Sequence, residues 1–456
     1  MIEEIADSKL QRVLRTYLFQ HPKDLAYMKS IAYCGSRVSE VKGVAPGVLV
    51  FANDKDAKIF GVNTCKNAWC CPTCSARVMA KYAAEIASAI DALEKWKHQS
   101  AFMVTLTVPH TSGMSVLEIT EILYNAWKDF IVHGNKNQNA KYYANAENKF
   151  KHNQEKTIKV STKKLNDPFA TFCEIFSCTY RVRVGEFTFG SAGAHPHFHC
   201  LFWVDSDKLQ KVAEYEEMLR DRWTALVKKH TLKMWDRAHP EKKADNRTRL
   251  EIMYSKLNEG SNTLYISKDK KGAVIKQLSS HYICGWGADR EVTGNYKNKA
   301  SNEGHETPRQ LLERAATGDE SAMRLFLEFA FAVRTKKHRR INFSKNTKDI
   351  IKKWRQTEAF TECMKKKHTD MVRNNGLWRM VCWFTKAQWF EICLKDRAEP
   401  VIQRILEMAT QTDGRELIRS FLEEYDIILT DKKYHDEELI TEIMNSPFGF
   451  GFEDAH

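Results

Sequence analysis

The run His195-Pro196-His197-Phe198-His199, continued by Cys200-Leu201-Phe202-Trp203, constrains this chain more than any other stretch. Side chains on a strand alternate between faces, so the three histidines project to one side. Apolar residues fill much of the other side, the pattern of a half-buried strand. Imidazoles at i and i+2 on one face can chelate a single cation. Just upstream, residues 180–188 read as a second strand, and Gly190-Ser191-Ala192-Gly193 supplies the turn between the two. If Phe189 pairs with Ala194, Glu186 falls opposite His197, and cross-strand partners about 4.5–5.5 Å apart at Cβ can share an ion. Glu186, His197 and His199 then offer two nitrogens and one carboxylate with open positions, a set that suits Mn²⁺ better than Mg²⁺. A one-residue slip would turn Glu186 away.

The string by itself admits two chemistries. In one, the cation acts as a Lewis acid on a phosphodiester while a separate nucleophile attacks. In the other, the alternating histidines resemble the histidine-triad nucleotide hydrolases, in which an imidazole is the nucleophile.

A second cluster lies earlier in the chain. Cys65 to Cys74 contains the knuckle Cys71-Pro72-Thr73-Cys74, a spacing that points two thiolates at one tetrahedral ion. Cys65 supplies a third ligand, and Cys34, in the turn-like Tyr33-Cys34-Gly35-Ser36, a fourth; Cys70 is the rival for either place. Four sulfurs call for Zn²⁺ in a closed, structural site. No βαβ context surrounds the knuckle to suggest a redox pair instead.

With 456 residues there is room for two or three domains, and the net charge of +13 fits a polyanionic partner. No apolar run approaches the roughly 18 residues of a membrane span, and the N-terminus lacks the pattern of a signal peptide. The chain therefore reads as cytoplasmic, with no membrane partner. Its twelve cysteines then point to metal ligands or buried thiols rather than disulfides.

Four regions follow from pattern. Residues 1–30 are helical and amphipathic, with Leu10, Val13, Leu14 and Leu18 at helical spacing. Residues 31–76 form the cysteine-rich module. Residues 77–300 open with a helix to about Trp96, then mix strands and helices. Strands are expected at Ala101–Val108, Thr171–Thr188 and His195–Val204, and helices at Val116–Ile131 and Lys208–Lys229. Gly134–Asp167 reads as an insertion or mobile loop, and Asn262–Lys268 as either a strand or a short helix. Residues 301–456 read as helical, Asp319–Val333 most strongly. Lys336, Lys337, Arg339 and Arg340 form a basic run that could meet DNA, whereas Lys352-Lys353 and Lys365-Lys366-Lys367 read as solvated faces.

Taken in order, these motifs resemble a rolling-circle replication initiator of the plasmid Rep type, an HUH endonuclease. The cysteine run with Trp69 comes first. Val104-Thr105-Leu106-Thr107-Val108-Pro109-His110 is similar to the family's first motif, and the histidine strand to its metal motif. Tyr265-Ile266-Ser267-Lys268 resembles its nucleophile motif; residues 286–294 and Thr307-Pro308-Arg309-Gln310-Leu311-Leu312 resemble segments that often follow. The resemblance covers about residues 30–345, and the last hundred or so match nothing nameable.

The resemblance implies a central antiparallel sheet flanked by helices within an α+β chain, an N-terminal zinc module and a helical C-terminal region. It implies His197 and His199 as the metal pair, Tyr265 as nucleophile, Lys268 as its cationic helper and Mn²⁺ or Mg²⁺ as the ion. On a helix, Lys268 would share a face with Tyr265. Tyr282 is the backup nucleophile, with Gly285 where the helper would stand. Glu291 is a candidate for the terminating cleavage and Arg290 for DNA contact. His195 either supports the metal site or faces solvent, the former being preferred, and His110 is assigned to a turn or cap. The implied partners are origin DNA, single-stranded or hairpin, with a host helicase and DNA polymerase. Competing readings are an HUH transposase or relaxase, a non-catalytic zinc-bearing DNA-binding protein, and the histidine-triad hydrolase.

Overall fold

The computed structural model describes residues 7–36, 47–108, 110, 113–131, 178–191, 193–205, 216–238, 273–277, 305–335, 338–396, 399–429, 441 and 445. In chain order come α1 (Asp7–Gln20), α2 (Pro22–Ala32), β1 (Val48–Ala52), β2 (Ala57–Phe60), α3 (Pro72–Lys97), β3 (Gln99–Thr107) and α4 (Val116–Ile131). Next are β4 (Tyr180–Gly190), β5 (Gly193–Asp205), α5 (Glu216–Ala238) and β6 (Ala273–Gln277). The remainder holds α6 (Pro308–Ala316), α7 (Glu320–Thr335), β7 (Ile341–Phe343), α8 (Lys345–Trp354) and α9 (Glu358–Asn375). Finally come β8 (Arg379–Phe384), α10 (Lys386–Lys395), α11 (Val401–Ala409) and α12 (Gly414–Glu423). The chain divides into two compact units, one of residues 1–81, 311–327 and 353–456, the other of residues 82–310 and 328–352.

The second unit is organised by an antiparallel sheet in the order β6-β3-β5-β4-β7. β5 is central, paired along β3 on one side and β4 on the other. Its residues alternate as expected: His195, His197 and His199 are half-buried, while Ala194, Pro196, Phe198 and Cys200 are buried. Helix α4 covers the face away from the histidines. Ile119, Ile122, Leu123, Ala126 and Phe130 form its buried stripe, and Tyr124 and Trp127 meet Phe198 edge-on at 4.9 and 5.8 Å. Arg183 is buried beside them, its guanidinium 4.5 Å from the Phe198 ring and 4.7 Å from that of Tyr124. It also donates to the Arg339 carbonyl at 2.8 Å, which secures the approach to β7.

In the first unit β1 pairs with both β2 and β8, giving the sheet order β2-β1-β8. Val48, Val50 and Ala52 share a core with Phe384, Trp389, Ile405, Ile418 and Leu422. All five residues of β1 are buried, the mark of a strand covered on both faces.

Helix α4 has the expected bounds, whereas α3 begins earlier than expected, at Pro72, a residue that suits a first helical position. Two expectations need correction. Residues 301–456 are not wholly helical: β7 joins the five-stranded sheet by pairing with β4, and β8 pairs with β1. Residues 31–76 are more than a cysteine module, since β1 and β2 lie within them. β7 and β8 are paired with strands far away in sequence, which leave no local periodicity, whereas β1 and β2 are joined by a short local turn. Gly134–Asp167 and Asn262–Lys268 lie outside the described residues. Among the described residues, no helix is long and apolar enough to cross a membrane.

Candidate metal centres

Glu186 is set by the hairpin register. Phe189 pairs with Ala194 and Glu186 with His197, as the turn spacing predicts. Glu186 Oε2 lies 3.1 Å from His197 Nε2 and 3.0 Å from His199 Nε2, so both imidazoles converge on one carboxylate oxygen. The other ring nitrogens are anchored. His197 Nδ1 lies 3.4 Å from the His195 carbonyl and His199 Nδ1 lies 3.2 Å from the Thr105 hydroxyl. A carbonyl and a carboxylate both accept only, so with the His197 proton on Nδ1 the Nε2 lone pair faces the carboxylate. Lone pairs aimed at an anion across about 3 Å need a cation or a proton between them, and the donor set fits a divalent ion.

With protons instead on the facing Nε2 atoms, burial alone would raise the Glu186 carboxyl, but hydrogen bonds to His197 and His199 outweigh it and hold the group well below the usual carboxylate range. Its charge is thus kept where a cation would sit.

His195 faces the same side but stands outside this group. Its ring is 5.4 Å from His197, 4.8 Å from His110 and 6.4 Å from His305. Burial first, then the neighbouring histidines, pushes His195 down to about 3, so it is neutral at physiological pH. His110 is turned back on its own strand end, with Nδ1 3.3 Å from the Val108 carbonyl.

His305 had no sequence signal. It arrives because Glu306 and Phe189 exchange backbone hydrogen bonds, both 2.7 Å, at the end of β4. The Thr307-to-Leu312 motif starts α6 with Pro308, and Thr307 and Gln310 cap that start reciprocally at 2.8 and 3.3 Å.

The second centre lies in the other unit. Cys34, Cys65, Cys71 and Cys74 bring their sulfurs within 4.8 Å of one another. Cys34 Sγ is 3.4 Å and Cys65 Sγ 3.7 Å from Cys74 Sγ. A tetrahedral ion with bonds of about 2.3 Å has sulfur–sulfur edges of about 3.8 Å, so the spacing fits. Lys66 follows Cys65 with φ of 52°, a left-handed conformation that bulky residues adopt only under constraint. The Cys74 thiol is drawn well below its ordinary range by hydrogen bonds to Cys34, Cys65 and Cys71, whereas burial drives Cys71 up. Cys70 is buried but stands outside the four-sulfur group.

Two residues of α1 brace this centre, and their polar character hid them inside an amphipathic helix. Gln11 donates to the Ile31 carbonyl at 2.7 Å and accepts from Cys71 Sγ at 3.4 Å. Arg15 donates to the carbonyls of Ala32 and Cys34 at 3.0 and 2.8 Å and faces Asp396 at 3.7 Å.

Tyr265, Lys268, Tyr282, Arg290, Glu291, Lys336 and Lys337 lie outside the described residues. Arg339 is exposed and Arg340 half-buried.

An antiparallel sheet presenting two histidines and a glutamate on one face, with a four-cysteine cluster elsewhere, defines a mixed α and β protein with two candidate metal centres. Residues 56–237 match the family model described as a replication protein, and over that stretch the chain has the pattern of a rolling-circle Rep protein. The matched stretch holds Cys65, Cys71, Cys74, Glu186, His197 and His199, and ends before Tyr265. No curated protein and no solved structure matches the chain.

Proposed function

We propose that this protein is a rolling-circle replication initiator of the HUH type, which nicks one DNA strand at an origin through a 5′-phosphotyrosine. The observation that carries this reading is the convergence of His197 and His199 on one oxygen of Glu186, inside the stretch that matches the replication family. In this reading the nicking domain is the unit built on the five-stranded sheet, and the four cysteines hold a structural Zn²⁺.

Tyr265 supplies the attacking oxygen. A phenol with pKa near 10 is a poor nucleophile at neutral pH and needs help to lose its proton. Lys268 favours the phenolate and offsets charge on the phosphate. The tyrosine oxygen–phosphorus bond forms as the bond from phosphorus to the 3′ oxygen breaks. The departing oxygen takes up a proton and becomes the 3′-hydroxyl that a polymerase extends. A Mn²⁺ or Mg²⁺ ion held by Glu186, His197 and His199 would supply charge neutralisation at the phosphate oxygens. The setting is the cytoplasm, with origin DNA as substrate and a host helicase and polymerase as partners.

The test is incubation of wild type, Tyr265→Phe and Tyr282→Phe with a randomised pool of single-stranded oligonucleotides and Mn²⁺. Wild type and Tyr282→Phe should form a covalent protein–DNA adduct and Tyr265→Phe none. An adduct retained by Tyr265→Phe would sink the assignment.

A further inference from the structure

Helix α8 carries charge on one side only. Thr347, Ile350 and Ile351 are buried, while Lys345, Lys348 and Lys352 are exposed. Spaced i, i+3 and i+7, the three lysines form one stripe, about 10 Å long at 1.5 Å per residue. Asp349, the one acid on the helix, lies four residues from Lys345 and three from Lys352 on the same face, and with Lys353 the helix carries four lysines against that one carboxylate.

The stripe is tied to the metal-bearing strand. β7, two residues upstream, pairs with β4 through Phe343 and Val182. The Thr347 hydroxyl accepts from the Arg181 amide at 3.0 Å and lies 3.2 Å from the Arg181 carbonyl; Ser344 Oγ lies 3.3 Å from the Thr179 carbonyl. Arg181 and Glu186 are five residues apart on β4, about 17 Å at 3.4 Å per residue. B-DNA advances 3.4 Å per phosphate on each strand, so a stripe of about 10 Å spans about three phosphates.

We infer that Lys345, Lys348 and Lys352 hold the phosphate backbone of duplex DNA flanking the cut. The inference deepens the nicking reading and rests on it for the position of the cut, while duplex binding itself can be measured separately. Lysines act as point charges, so the surface grips duplex without reading sequence. It also changes the meaning of Lys352, which by sequence alone reads as part of a solvated face.

The test is fluorescence anisotropy of a labelled 30-base-pair duplex of arbitrary sequence across a salt series. The variant Lys345→Gln/Lys348→Gln/Lys352→Gln should lower the slope of log K against log salt by about 2.7, at about 0.9 per phosphate contact. Between 50 and 200 mM salt the affinity of wild type should then fall about 40-fold more than that of the variant. Replacing all three by arginine should restore the wild-type slope, which separates lost charge from lost fold. Adduct formation with single-stranded oligonucleotides should be unchanged in the glutamine variant. An unchanged duplex slope would overturn the inference even if nicking is intact. A reduced slope in a protein that forms no adduct would retain the duplex surface and remove the nickase. A defect confined to vesicles of anionic lipid would also overturn it.

Discussion

Glu186 lies directly across the hairpin from His197, and its Oε2 is 3.1 Å from the His197 Nε2. The carboxylate supplies the only negative charge of the group it forms with His197 and His199. Glu186→Gln keeps size and shape but removes that charge, so Mn²⁺ affinity measured by calorimetry should fall about 100-fold with little change in fold. Thr105→Val removes the hydroxyl that orients His199, and should cost about 10–100-fold in the same measurement. Mn²⁺ affinity unaffected by Glu186→Gln would place the ion elsewhere.

For the sulfur cluster, metal analysis of the purified chain should give zinc at one atom per protein. Cys71→Ser should lose it and Cys70→Ser should keep it, because Cys70 is outside the four-sulfur group. Chelation should lower the thermal midpoint of wild type and of Cys70→Ser, since metal binding is coupled to folding. Zinc retained by Cys71→Ser would show that the cluster is held in another way.

Arg15 and Asp396 form an ion pair at 3.7 Å with both side chains buried. Arg15→Met leaves the carboxylate buried without its cation and also removes the donors to Ala32 and Cys34. Denaturant unfolding should show a loss of about 3–5 kcal/mol. Asp396→Asn introduced into that variant should recover part of the loss. A change under about 1 kcal/mol in Arg15→Met would mean that the pair is not a brace.

Asp129 on α4 accepts from Lys229 and His230 of α5, at 2.7 and 2.9 Å. Burial raises this carboxyl, but the two hydrogen bonds and charges prevail and bring it down to about 2. A depressed folded value means stability that is present above the unfolded value of about 4 and is lost as pH falls towards 2. Asp129→Asn should cost about 1 kcal/mol at pH 7, since Lys229 is half-exposed and screened. The difference from wild type should vanish across that acid window. A gap that persists at pH 2 would assign the effect to packing.

How much of this was legible in the sequence depends on how local each contact is. The Glu186–His197 pairing was readable because a short turn fixes the register and strand alternation fixes the face. Cys65, Cys71 and Cys74 were readable from spacing, and Cys34 from its turn-like setting. β1 and β8 were not: they pair across more than 300 residues, and β1 is apolar throughout, so no alternation marks it. His305 reaches the histidine face only through a backbone bridge to Phe189, which no motif encodes. Gln11 and Arg15 were passed over because polar residues within an amphipathic helix ordinarily face water; here they replace missing partners for buried carbonyls and a thiol.

The most direct measurement is peptide mapping of the covalent adduct formed with single-stranded DNA and Mn²⁺. Nucleotides should be found, through a 5′-phosphate, on the peptide containing Tyr265 of wild type, and no adduct should form with Glu186→Gln. DNA attached to any other residue, or an adduct formed equally well by Glu186→Gln, would contradict a tyrosine nickase that depends on the Glu186, His197 and His199 group.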